Sequence, residues 1–329
     1  MVRQPSGIFT FEGQRVAENP IINVMLGNDA LVTELVLGTP QDLRLPGESI
    51  LPPITVDGYQ FKWTKLGVEH LKQIDTERGM RAPIAHGDWR AETEGAILKR
   101  FSFRVLKDAD EISNAEPSLR IRERSAMLAR RIVRLDIERR RRDILMASGT
   151  YPVANVLAIA GGSEWNTANG DSRADVRSMV NSIVTSTGVM PEELVVWLSL
   201  AAFEAAKDDP VFLAVRSNFT ADTPDEVALA RYWGVGRVWT SNPVELKDDG
   251  TVGAMYSDSA LIYWPGTGSA YDTEYGDFRF GATFTWNRGV ASSPYYDNTI
   301  TSWSFPWTDY ALPKVITPGA AALITNCAA

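Results

Sequence analysis

The chain has 329 residues, 44% of them apolar and 22% charged, with a formal net charge of −8, 1 Cys and 2 His. That length can bury a large core and fits one big domain or two to three smaller parts, and the apolar fraction excludes a disordered tail protein. One cysteine excludes an intrachain disulfide framework, and so few Cys and His exclude a structural zinc site, which takes about four such ligands.

Residues 1–50 read as an extended arm. Gly, Pro and Asn recur without a helical period, and LGTPQDLRLPGES is rich in turn residues. MVRQPSGIFTFEG lacks an apolar signal core, and no stretch reaches the roughly 18 apolar residues of a membrane helix. The expectation is a soluble protein made in the cytoplasm. Two alternating segments, Tyr59–Lys65 and Ile97–Val105, are predicted strands, separated by about 30 polar and charge-mixed residues. An isolated two-stranded loop is marginal in water, so this one is expected to rest on a partner surface.

Charge is uneven along the chain. Residues 1–116 carry a net −4, residues 117–147 a net +6, and residues 148–329 a net −10. The basic segment, PSLRIRERSAMLARRIVRLDIERRRRDILMA, holds 10 Arg and no Lys. Pro117 suits a first helical turn, Glu116 complements the positive helix end, and Gly149 follows as a stop. The spacing predicts one long helix over 117–147 with two apolar stripes. Ile121, Leu128, Ile132, Leu135 and Met146 form one; Leu119, Ala126, Val133, Ile137 and Ile144 form the other. Such a helix is sandwiched between two other elements, or between its own domain and a neighbour. Arg120, Arg124, Arg131, Arg134, Arg141 and Arg142 share one flank between the stripes and are expected to stay open. The spacing fits a solvated face with i,i+4 pairs such as Asp136 with Arg140. It fits equally a surface for polyanions, since guanidinium groups bind phosphate in a fork. Without interleaved aromatics, any DNA contact would be to the backbone and blind to sequence.

Downstream, YPVANVLAIAGG predicts a short buried strand. Asp171 or Ser172 caps a helix that Gly188 ends, Leu194–Leu198 is a strand, and Ser199 caps the next helix, which Pro210 closes. Thr223 and Pro224 open a further helix, and GRVWTSNPVEL is a strand. From residue 250 the chain turns to aromatic β-type segments, SALIYWPG, FRFGATFTWNRG and ITSWSFPWTDYALPKVI.

A search for chemistry is negative. His70 and His86 lack any metalloprotease or nucleophile context, and no phosphate loop or nucleophile elbow occurs. Asp108, Asp110 and Glu111 read as a solvated turn, and Cys327 as a free thiol. No cofactor, metal or catalytic residue is expected, and the class is α+β.

The order of parts is extended arm, long two-stranded loop, one long helix, mixed α/β region, return strand. It resembles the major capsid protein of tailed double-stranded DNA bacteriophages, the Hong Kong 97 phage fold. The segment SEWNTANGDSRADVRSMVNSIVTSTGVMPEELVVWLS carries the likeness best, through Trp165, Asp175, Thr187, Gly188, Pro191 and the strand Leu194–Trp197. The resemblance implies an N-terminal arm at 1–50 and an extended loop at 51–104. It implies a peripheral domain at 105–185 and 301–329, built on the long spine helix, and an axial domain at 186–300. Subunits would form hexamers and pentamers of an icosahedral shell around double-stranded DNA, placing the protein in the virion. Arg120, Arg124, Arg131, Arg134, Arg141 and Arg142 would face the lumen. Ile121, Leu128, Ile132, Val133, Leu135, Ile137 and Ile144 would pack the spine helix. Tyr59, Phe61, Trp63, Arg78, Arg81, Trp89 and Arg90 would contact a neighbouring subunit. Portal, decoration and separate scaffolding proteins would be further partners. Two other readings fit the same sequence: an encapsulin-like nanocompartment shell holding an enzyme cargo, and an α+β hydrolase using carboxylates.

Overall fold

A computed structural model describes residues 45–65, 77, 92–114, 121–217, 225–246, 250–266, 279–286, 290–291 and 293–329. The arm as far as residue 44, both histidines, Arg78, Arg81, Trp89, Arg90, Leu119 and Arg120 lie outside the described residues.

The described chain begins with a short helix, α1 (Pro46–Ile50), and a short strand, β1 (Pro53–Thr55). Strands β2 (Gln60–Lys65) and β3 (Glu92–Ile97) then pair antiparallel, Gln60 opposite Ile97 and Lys65 opposite Glu92. Next come β4 (Lys99–Asp108), α2 (Ala109–Asn114) and the long helix α3 (Ile121–Leu145). A mixed stretch follows: β5 (Val156–Ala158), α4 (Ser172–Thr187), β6 (Val195–Ser199), α5 (Leu200–Lys207), α6 (Pro210–Ser217), α7 (Glu226–Trp233) and β7 (Arg237–Ser241). The remainder is β: β8 (Val244–Leu246), β9 (Val252–Ala254), β10 (Ser259–Tyr263), β11 (Gly281–Thr285), β12 (Val290–Ala291), β13 (Tyr295–Asp297), β14 (Ser302–Val315) and β15 (Ala321–Thr325).

Local chemistry sets the helix ends. The Asp171 carboxylate accepts the Ala174 amide at the start of α4, and Gly188, at φ 74, ends it by donating its N–H to the Val184 carbonyl. The Ser199 hydroxyl caps α5 by accepting the Ala202 amide. Two expectations are corrected here. Pro210 opens α6 instead of closing a unit, because its missing N–H costs nothing in a first turn. Asp225, not Thr223, caps α7, accepting the Ala228 amide at 2.7 Å.

Two sheets organise the core. In the first, β14 is the spine: it pairs with β4, β11, β12 and β13, and β11 in turn pairs in parallel with β1. The β4–β14 ladder runs over ten positions, from Ser302 opposite Asp108 to Ala311 opposite Lys99. Helix α3 lies on this sheet, burying Ala126, Ala129, Val133 and Ile137 against Phe101, Trp307 and Ala311. The second sheet has the order β5-β15-β10-β6-β7. Its strands alternate between two apolar clusters, as the period of two requires. Val196, Leu198, Ala260, Ile262, Ala322 and Ile324 face α4, α5 and α7, while Trp197, Leu261, Tyr263, Ala321 and Leu323 face the other way. That second cluster also takes in Ile50 and Leu51 beside α1 and Leu145 at the end of α3, so it joins the two sheets.

The predicted strand Ile97–Val105 has a different partner than expected. Tyr59–Lys65 pairs with Glu92–Ile97, and the segment beyond, β4, belongs to the sheet under α3. Similarly, β11 (Gly281–Thr285) joins the α3 sheet, while β15, after the return strand, joins the second one. The predicted strand after Tyr151 is only β5, a half-exposed edge strand.

Candidate functional site

Helix α3 has three sides, each with its own chemistry. The first is the sheet side already described, where the Arg130 guanidinium lies 5.7 Å from the Trp307 ring centroid and Arg140 lies 4.9 Å from that of Phe101. Of the expected packing residues, Val133 and Ile137 are buried there and Ile144 is half-buried.

The second side faces α1. Glu138 is wholly buried. Its carboxylate accepts the Gly47 amide at 2.6 Å, the Tyr256 hydroxyl at 2.7 Å and an Arg141 N–H at 3.2 Å. Arg141 also donates from Nε to Thr283 Oγ1 at 3.0 Å, and that hydroxyl donates to the Leu51 carbonyl at 3.0 Å. Every member thus has a partner, which a buried charge requires. Burial first, and then the Glu138 charge and hydrogen bond, hold the Tyr256 phenol well above its usual range, so it stays a donor. Nearby, Arg134 pairs with Glu48 of α1. A Cβ on Gly47 would stand 2.7 Å from the Arg141 Cβ and 2.8 Å from both Glu138 oxygens, so only glycine fits this approach.

This corrects the expected open flank. Arg141 is 6% exposed and structural. Arg134 is half-buried against Glu48, and Arg142 pairs with Asp143 at 2.9 Å and Glu245 at 2.8 Å. The flank is occupied because α1 and the β8–β9 ribbon fold onto it, each bringing an acid. Arg124 and Arg131 remain exposed.

The third side carries the other apolar stripe. Ile121, Ile132 and Leu135 are half-buried and Leu128 is 48% exposed, so the stripe is not sandwiched within the chain. Its Ile132 and Leu135, together with β4 and the β8–β9 ribbon, wall a groove of ≈ 580 Å³. Glu245 fastens the ribbon to the helix through Arg139 at 2.9 Å and Arg142 at 2.8 Å.

The β2–β3 hairpin rests on its own sheet at its base. The Phe61 ring packs on Phe284 with centroids 4.7 Å apart, and Tyr59 meets Tyr310 edge-on at 6.0 Å. Trp63 stands opposite Glu94 in the ladder.

Among the described residues, no group of three or more His, Cys, Asp and Glu could hold a metal ion, and no helix is long and apolar enough to cross a membrane. The expected solvated turn is instead a strand end running into a helix: Asp108 closes β4 and accepts the Asp110 amide at 2.9 Å, and Glu111, in the first turn of α2, pairs with Lys107 at 2.6 Å. Cys327 is a buried free thiol, and burial, with the Asp258 and Asp175 charges, pushes it well up, which disfavours the thiolate. Sequence reasoning missed Glu138, Glu48, Glu245 and Thr283. The only sequence signal was Glu138 itself, an acid beside Ile137 on the helix's buried stripe.

No protein-family model and no curated protein matches the sequence. Solved structures do. A phage-related protein from Bordetella bronchiseptica superposes with a TM-score of 0.71 at 20% identity, covering 92% of this chain and 97% of that one. The capsid of cyanophage P-SCSP1u gives 0.57 at 9% identity over 87% and 89%. The mature capsid of bacteriophage PhiM1 gives 0.53 at 12% identity over 88% of each. At such identities the likeness establishes the fold.

Proposed function

We propose that this chain, which has the Hong Kong 97-type capsid fold of its structural neighbours, is the major shell protein of a tailed phage head. Subunits gather into hexamers and pentamers that close around double-stranded DNA, and the protein resides in the virion. The observation carrying this reading is the coverage of both chains in the matches to phage capsids, 87% and 89% in one and 88% of each in the other.

Features within the chain support it. The β2–β3 hairpin has only two strands and an exposed Ile97, and it serves as the loop that laps onto a neighbour. The α3 sheet forms the peripheral part, and the β5-β15-β10-β6-β7 sheet with its helices forms the axial part. Arg124 and Arg131, exposed on α3, would meet packaged DNA through phosphates and without sequence preference. Portal, scaffolding and decoration proteins complete the assembly in this reading.

Electron microscopy and nuclease protection of particles made from this chain test it. Closed shells holding nuclease-resistant DNA after packaging support the reading. Particles that hold a protein cargo and never nucleic acid would assign the same fold to a cellular compartment instead.

A further inference from the structure

The sheet under α3 has a second face. Phe101, Val105, Trp307 and Ala311 pack toward the helix, so by the period of two the even-numbered residues of β4 and the even-numbered residues of β14 point away from it. The register sorts part of that face into three successive rows. Arg104 stands beside Pro306 in the first. Leu106, Ser304 and Tyr295 form the second, and Asp108, Ser302 and Asp297 form the third. In order, the rows are basic, apolar and acidic. Leu106 is 43% and Tyr295 45% exposed, and Arg104 and Asp108 are exposed as well. The β2–β3 hairpin occupies the other end of this face, through the Tyr59–Tyr310 contact and the Lys314–Glu94 pair, and leaves the three rows open.

We infer that these rows are a self-complementary interface on which a second copy of this chain docks face to face about a two-fold axis. The argument is charge. Within one chain, Arg104 and Asp108 lie four residues apart along β4, about 13 Å at the rise of a strand, too far to pair. Among the described residues Arg104 meets the Tyr295 hydroxyl at 3.0 Å and no carboxylate. Asp108 and Asp297 each use Oδ1 for a local amide, that of Asp110 and that of Thr299, and their other oxygens take no bond from the described residues. A two-fold axis lying along the apolar row sets Leu106 and Tyr295 each against its own counterpart. The same axis brings each Arg104 opposite the second copy's Asp108, with Asp297 in that same row. Every contact then forms twice, as an isologous interface requires. An axis along the strands would instead set basic row on basic row and acidic on acidic, which like charge opposes. Arg and Tyr are also the side chains that interfaces favour.

The inference does not rest on shell assembly, because it is measured on free full-length subunits by sedimentation equilibrium in dilute, low-salt solution. The expected result is a monomer–dimer equilibrium that weakens as salt is added. Arg104→Asp should raise the dissociation constant at least about tenfold, and adding Asp108→Arg to it should restore pairing. Each variant is first shown to melt cooperatively. A parent chain without a dimer would overturn the inference, and so would a double variant that pairs no better than Arg104→Asp alone. A second measurement uses a short bis-maleimide on Leu106→Cys, with Val153→Cys, at a position 94% exposed elsewhere, as the control. The native Cys327 is buried. Cross-linked dimers from Leu106→Cys well above the control support the two-fold contact, and equal yields from the two positions contradict it.

Discussion

The Glu138 carboxylate accepts the Gly47 amide at 2.6 Å across 91 residues of sequence. This bond fastens α1, at the start of the described residues, to the C-terminal half of α3. Replacing Glu138 with Ala strands Arg141, which is 6% exposed, as a buried unpaired charge, at a cost of about 3–5 kcal/mol. Gly47→Ala adds a Cβ where Arg141 and Glu138 already stand and should cost about 1–3 kcal/mol. Urea unfolding of both variants checks this, and a loss below about 0.5 kcal/mol, the size of an ordinary surface change, would remove the anchor role.

Two arginines of the same helix should behave oppositely. Arg141→Gln breaks the bonds to Glu138 and Thr283 and should cost about 3–5 kcal/mol. Arg131→Gln, at an exposed position, should change stability by no more than about 0.5 kcal/mol. In assembled particles, neutralising Arg124 and Arg131 together should weaken DNA retention and make it less dependent on salt.

Asp209 is wholly buried and holds the junction of α4 and α6. Its carboxylate accepts the Ser172 amide at 3.0 Å, the Ser172 hydroxyl, and the Val211 and Phe212 amides at 2.8 and 3.3 Å. Asp209→Ala leaves those donors without an acceptor and should lower stability by about 1–3 kcal/mol, with Asp209→Asn losing less. Thermal melts of the two variants give the order directly.

Stability should carry a pH signature at Asp258. Burial foremost, and then the Glu164 charge, raise this carboxyl above its ordinary 3.8, against lowering bonds from the Ala328 and Cys327 amides. The folded state therefore holds the proton to higher pH than the unfolded chain. The contribution is present below the ordinary aspartate range and is lost as pH rises through the elevated folded value. Asp258→Asn removes that dependence, so its stability relative to the parent should improve with rising pH across this window. Urea midpoints measured at a series of pH values would show it, and parallel pH profiles would contradict it.

The parts legible in the sequence were those set by local chemistry. Asp171, Gly188 and Ser199 announced helix ends, and the Ala126–Val133–Ile137 spacing announced the buried side of α3. What pairs with what was not legible. Alternation in Ile97–Val105 marks a strand but does not say that β14, some 200 residues away, is its partner. ETEGAI has no aromatic residue and sets Thr93 and Ile97 among two Glu, a Gly and an Ala, residues depleted in strands, so β3 was hidden. Arginine spacing gave a shared flank, yet whether that flank is open depends on acids from α1 and β8, which only the fold brings there.

Deleting residues 78–91 should leave the body of the subunit folded and its melting cooperative while abolishing stable lattices, if the β2–β3 hairpin, whose strands this segment helps to join, laps onto a neighbour as proposed. Sedimentation of the deleted and parent chains compares them, and equal shell yields would end the clasp role.

The most direct measurement is electron microscopy of the purified full-length chain, concentrated alone and with any scaffolding protein encoded beside it. The shell reading predicts rings of five and six subunits and closed particles or tubes built from them. A chain that remains a monodisperse monomer under all of these conditions would contradict it.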